Sequence, residues 1–217
     1  MATCTFFTED DTTQGSWLGV FGGDGYNIPN DGYSYPSYVS SVTITGATYS
    51  WASTTTDVRG CIKPSNHAQR IASIWYSATY DNFDIVLDSS VHRVGIYLFD
   101  WDSGRSVRVD VLDVDAGNAV LDTRTISSFS TTTKWLFWDC SGHIAIKVTK
   151  LSGDNAVVSA LVFQPSVFPD PALRVSQVAE VVICEGTPAL RVSQMGVVVI
   201  MDVPPYPPAH RPYANCG

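Results

Sequence analysis

Apolar and polar residues alternate from about Thr5 to Phe163, and turn-forming residues break the alternation about every 8 to 12 positions. A period of two places successive side chains on opposite faces of a pleated strand, so such runs bury one face against a partner sheet. Val94, Ile96 and Leu98 form one stripe, Val107, Val109 and Val111 a second, and Ile144, Ile146 and Val148 a third. Val157, Ser159, Leu161 and Phe163 continue the alternation. Trp135 shares a face with Phe137, and Trp138 with Leu136, so at least one of these pairs is expected inside. The loop Asp115-Ala116-Gly117-Asn118 predicts a hairpin from about Ser106 to Ser127, and Ser152-Gly153-Asp154-Asn155 predicts another. Gly19 to Tyr38, rich in Gly and Tyr and interrupted by Pro29 and Pro36, reads as an ordered loop. No stretch offers a helical stripe of about ten residues. Residues 1–163 are therefore expected to form an all-β sandwich domain, nearly free of helix.

After Phe163 the pattern changes. Residues 164–171 form a linker whose prolines cannot donate to a strand ladder. A repeat follows over residues 172–203. Pro171-Ala172-Leu173-Arg174-Val175-Ser176-Gln177 returns as Pro188-Ala189-Leu190-Arg191-Val192-Ser193-Gln194, and each copy runs into a β-branched segment, Val178 to Ile183 and Val197 to Ile200. The copies read as two strands joined at Glu185-Gly186-Thr187. Two strands alone are marginal in water. Leu173, Val175, Val178, Leu190, Val192 and Val197 are accordingly expected at an assembly interface, in a homo-oligomer or against other subunits. Residues 204–217 read as an extended proline-rich arm, adding Tyr206 and Tyr213 to that interface.

The chain's 217 residues suffice for one main core plus an appendage. Charged residues make up only 16%, while Thr, Ser, Val, Tyr and Trp recur, which suits strands packed face to face. A net charge of −8 sets the average surface against a phosphate backbone, so no nucleic-acid partner is expected. Apolar runs such as Val197 to Met201 fall far short of the roughly 20 residues of a membrane-spanning helix. Met1 leads into Cys4, Thr5, Phe6 and Phe7 without a basic region, a signal-length apolar segment or a cleavage site. An exterior-type composition without an export signal predicts a virion protein, made in the host cytoplasm and released by lysis. Of Cys4, Cys61, Cys140, Cys184 and Cys216, an odd number, at least one must be free or shared between chains. They read as buried thiols of a chain made in a reducing cytosol, with an inter-chain disulfide through Cys184 or Cys216 as the sharper alternative.

Catalytic signatures do not stand out. There is no GxSxG elbow and no phosphate loop, and Gly22-Gly23-Asp24-Gly25 lacks a following Lys-Ser/Thr. His67, His92 and His143 lie beside ordinary turn or strand residues, and no carboxylate pair is singled out for glycoside hydrolysis. No catalytic residue and no cofactor is assigned. Asp100-Trp101-Asp102-Ser103-Gly104 opens like a calcium loop, but the helix-loop-helix version needs a carboxylate about twelve positions from its start, where Val111 stands. Asp100 and Asp102 are instead expected to accept turn N–H groups or to pair with Arg105 or Arg108. Aromatics are abundant: Trp17, Trp51, Trp75, Trp101, Trp135 and Trp138, with Tyr26, Tyr33, Tyr35 and Tyr38, include enough rings for a sugar-stacking platform. Most Trp in a sandwich are core. The loop residues Tyr26, Tyr33, Tyr35 and Trp101 are therefore the preferred glycan or protein contacts.

Four stretches carry a resemblance: Thr12 to Trp17, Gly19 to Ile28, Leu98 to Ser106 and Asn155 to Ser159. Together, over about Thr5 to Phe163, they resemble a bacterial β-sandwich module found at the ends of secreted, often carbohydrate-associated proteins. The resemblance implies a jelly-roll-like antiparallel sandwich, with glycan binding by analogy. The Ala-Leu-Arg-Val-Ser-Gln repeat resembles a short element of bacteriophage structural proteins, although the second copy departs from it at Met195-Gly196. The expected function is that of a non-enzymatic accessory virion protein, such as a capsid decoration, head-fibre or tail-surface subunit. Its C-terminal segment would anchor it to other virion proteins and its sandwich would face outward. The alternative is a carbohydrate-binding module for a host surface glycan.

Overall fold

The computed structural model describes residues 1–102 and 104–165. Among them the chain is all β. In order, the strands are β1 (Thr3–Asp10), β2 (Gly25–Ile28), β3 (Gly32–Ser34), β4 (Val39–Ile44), β5 (Ala47–Thr55), β6 (Cys61–Lys63), β7 (Asn66–Ser77) and β8 (Tyr80–Leu87). They continue as β9 (His92–Leu98), β10 (Ser106–Asp113), β11 (Ala119–Ser127), β12 (Lys134–Ser141), β13 (His143–Ser152), β14 (Ala156–Val158) and β15 (Ala160–Pro165).

Three antiparallel sheets result. One runs β1-β12-β9-β15-β2-β3, a second β11-β10-β13-β8-β4, and a third β14-β7-β5, with β6 also paired to β7. The stripes read from sequence decide how they stack. Val94, Ile96, Leu98, Leu136, Trp138, Leu161 and Phe163, on one face of the six-stranded sheet, share a buried cluster with Phe83, Ile85, Val107, Val109, Val111, Ile144, Ile146 and Val148 of the five-stranded sheet. The opposite face of the same six-stranded sheet is also buried. Tyr97, Trp135, Phe137, Ala160 and Val162 pack with Trp17, Ile28, Cys61, Ile71 and Ala72. Both Trp pairs are inside because this sheet is covered on both faces.

The second cluster is closed by the long connection before β2. Trp17 is fully buried, and its indole N–H donates to the Ile62 carbonyl at 2.9 Å. The Trp135 indole donates to the Gln14 carbonyl at 2.7 Å, and the Tyr97 hydroxyl to the Arg59 carbonyl at 2.8 Å. Each ring thus satisfies its polar atom while burying its apolar body, the condition for placing Trp and Tyr in a core. Gly95 makes the β9–β12 contact possible, since a Cβ there would overlap the Phe137 ring and come within 3.0 Å of the Val162 side chain. Gly95→Ala is expected to cost about 1–3 kcal/mol by overpacking, measurable as a lower urea midpoint at unchanged slope.

The Ser106–Ser127 hairpin is present, with Ser106 opposite Ser127. Three expectations need correction. The Ser152–Asn155 turn makes no hairpin, because the chain crosses over it so that β14 pairs with β7 of another sheet. The Gly19–Tyr38 segment is not all loop: β2 and β3 pair across its middle, and β2 joins β15 through main-chain bonds that its irregular side-chain pattern does not report. The cysteines are not all thiols. Cys4 of β1 stands directly opposite Cys140 of β12, with Cα atoms 4.1 Å apart, and the two form a disulfide. Bridging positions 136 apart in sequence is worth roughly 5 kcal/mol in chain-entropy terms. Cys61 is a buried free thiol, pushed above the usual thiol range by burial. Cys184, Cys216 and the expected repeat, arm and interface residues lie outside the described residues.

Candidate functional site

On β5, Tyr49 and Trp51 come together across an irregularity in the β5–β7 register between Ser50 and Ala52. Tyr49 stands opposite Ile74 of β7, and Ala47 opposite Tyr76. The Tyr49 ring meets those of Trp51 and Tyr76 edge-on, with centroids 6.3 and 6.4 Å apart. The Asp100–Arg105 connection and the turn before β14 add Asp102, Arg105, Asp154 and Asn155. With Tyr49, Trp51, Ile74 and Tyr76, these four line an open cleft of about 410 Å³.

Buried electrostatics hold this wall in place. Arg105 is only 6% exposed, and each of its guanidinium nitrogens is engaged: Nη1 with Asp100, Nη2 with Asp102 Oδ2 at 3.3 Å, and Nε with Asn155 Oδ1 at 3.1 Å. Asp100, fully buried, also accepts the Arg105 backbone N–H at 3.0 Å. Asp102 Oδ2 takes a second donor, the Trp51 indole N–H, at 2.9 Å. The Trp51 ring is therefore fixed in plane, with Trp101 stacked 6.4 Å away at 17° and the Arg105 guanidinium 5.6 Å from its centroid. Two donors on one oxygen lock the Asp102 carboxylate, while its side chain stays about half exposed at the rim. The result is a preorganised acceptor beside aromatic faces.

Asp100 and Asp102 thus do what turn aspartates were expected to do, pairing with Arg105 and a turn N–H. Among the described residues, no group of three or more His, Cys, Asp or Glu side chains could hold a metal. Trp101 joins the cleft cluster through Trp51 and Phe99 and is capped by Arg59, 5.4 Å from its ring. Tyr33 is 69% exposed and lies 5.1 Å from Tyr35, forming a separate small aromatic patch on β3 and beyond. Tyr35 is tied inward: Asn27 donates to its hydroxyl at 2.5 Å, and its ring meets Phe163 edge-on. Tyr26 packs on Trp17, 5.3 Å away, and so closes the second core cluster. Sequence reasoning counted Trp51 among the rings but did not single it out, and it passed over Tyr49 and Tyr76. The signal was there in the Tyr-x-Trp spacing at Tyr49 and Trp51, two aromatics in a strand otherwise rich in small polar residues.

A larger hollow of about 490 Å³ lies against β1 and is lined by Phe7, Val20, Phe21, Phe137, Arg93 and their neighbours. One face of the Phe7 ring is occupied by the Arg93 guanidinium, which is held by Asp139 at 2.8 Å and sits 3.2 Å from the ring centroid.

No protein-family model matches the chain, and no curated protein matches it. A solved structure described as TmCBM61 in complex with β-1,4-galactotriose aligns with 55% of this chain and 89% of its own, at 12% identity and a TM-score of 0.22. At that TM-score the likeness carries no argument here.

Proposed function

We propose that this chain is a non-catalytic glycan-recognition module whose sugar site is the cleft between β5, β7 and the Asp100–Arg105 connection. The observation that carries this reading is the convergence of Tyr49, Trp51 and Tyr76 with a carboxylate fixed by two donors, in one open cleft. A pyranose offers an apolar C–H face and a rim of hydroxyls. Aromatic side chains take the first, and a preorganised carboxylate accepts from the second at little ordering cost. The Cys4–Cys140 disulfide supports display in an oxidising exterior. Against hydrolysis, the carboxyl pushed up to about 7 is Asp81, which does not line the cleft. The accessory virion role and its subunit partners draw no support from the sandwich.

The test is a glycan array probed with the full chain, followed by titration calorimetry on the best ligand. Tyr49→Ala and Tyr76→Ala are each expected to weaken binding at least about tenfold, the size of a hot-spot loss, with the unfolding midpoint nearly unchanged in Tyr49→Ala, whose ring is already 52% exposed, and lowered in Tyr76→Ala, whose ring packs against the core. Unaltered affinity in both variants rejects the cleft.

A further inference from the structure

Resting on the glycan reading, we propose that the cleft selects uncharged sugars and rejects those bearing a carboxylate, such as sialic or uronic acids. Among the described lining residues Arg105 is the one cation, and its guanidinium is fully committed to Asp100, Asp102 and Asn155. At 6% exposure it has no open fork for the bidentate grip by which arginine holds a carboxylate. The other polar residues that line the cleft are acidic or neutral: Asp102, Asp154, Asn155, Tyr49 and Tyr76. Lys150 is nearby in the chain, but its ammonium donates to the Asp154 carbonyl at 3.2 Å and does not line the cleft.

An anionic sugar brought here meets the Asp154 carboxylate and the Asp102 carboxylate, the latter already shared with Arg105, and no lining cation with an open donor fork, an arrangement that disfavours the wrong ligand. A neutral sugar meets the same carboxylates through its hydroxyl hydrogens, and those bonds are charge-assisted. The acidity that repels one class therefore strengthens binding of the other.

The experiment uses the full chain and paired neutral and acidic glycans beside a broad neutral panel: methyl-esterified against de-esterified oligogalacturonate, which differ by a methyl group and the charge, and lactose against sialyllactose, which adds one acidic residue. The expected result is at least about tenfold preference for the neutral member of any pair that binds. The preference should shrink as salt rises, through tighter binding of the acidic member. The double variant Asp102→Asn, Asp154→Asn should narrow the gap. Equal or tighter binding of the acidic member, lost in Tyr49→Ala, overturns the selectivity while leaving the glycan reading intact. Binding of no sugar on the panel overturns that reading and the selectivity with it.

Discussion

Asp81→Asn is expected to stabilise the sandwich near neutral pH and to remove most of a stability loss that the unaltered chain suffers between about pH 4 and pH 7. Asp81 lies on the inward face of β8 with Phe83 and Ile85, fully buried, and neither carboxylate oxygen has a hydrogen-bond partner. The backbone of Gly46 approaches so closely that an added Cβ would overlap the carboxylate. Burial without a partner penalises the charged form, pushing the group up to about 7 from an ordinary value of 3.8. The folded chain therefore holds this proton more tightly than the unfolded chain does. Below pH 4 both states are protonated and the full stability is present. As pH rises from 4 to 7 the unfolded state alone ionises, so stability falls, by an amount on the order of 4 kcal/mol at the extreme. Chemical denaturation at pH 4, 5.5, 7 and 8 checks this, since the Asn variant should give a flatter curve that crosses above the unaltered one. His143, bridged by Asp84 and Asp115 and raised by those bonds, adds a smaller loss of the same sign at higher pH, so a His143→Gln background isolates the Asp81 component. A pH profile unchanged by Asp81→Asn contradicts the assignment.

Arg105→Leu should damage fold and site together. The substitution keeps apolar bulk but leaves Asp100, fully buried, without its guanidinium, and it strips Asp102 and Asn155 of a shared donor. Removing one member of a buried ion pair usually costs about 3–5 kcal/mol, because the remaining charge stays desolvated. Sugar binding should fall with it, since Asp102 then has only the Trp51 indole to hold it. Arg105→Lys is expected to recover part of the stability but little affinity, as one ammonium cannot reproduce a three-nitrogen fork. Denaturation midpoints and calorimetric titration on the same samples separate the two effects. A loss below about 1 kcal/mol in Arg105→Leu contradicts the role given to this pair.

Much of the sandwich was legible where one face of a strand is buried and the other is not, as in β8, whereas β9 and β12, covered on both faces, read as nearly continuous apolar runs at residues 94–98 and 135–138. Where strands are short and held by main-chain bonds, as in β2 and β3, side-chain alternation has nothing to say. The Ser152–Asn155 turn shows another limit: local turn chemistry announces a reversal but not which sheet the chain then joins. The Cys4–Cys140 bridge was invisible because it depends on register between strands far apart in sequence. The site was half legible. The pairing of Asp100 and Asp102 with Arg105 followed from the loop sequence, whereas Tyr49 and Tyr76 come together only when β5 pairs with β7. Tyr26, read from sequence as a loop residue, lies on β2, where its half-buried ring packs on Trp17, nine positions earlier.

The order of strands in the central sheet bears on how the protein comes into being. The opening strand lies beside residues 135–141, and the sheet's middle is completed only by residues 160–165. Few of its contacts are local, which places its assembly among the slow topologies. During synthesis the first strand must wait, edge bare, until residues 135–141 have left the ribosome, so its adjacent Phe6 and Phe7 stay open to stray pairing over most of that time.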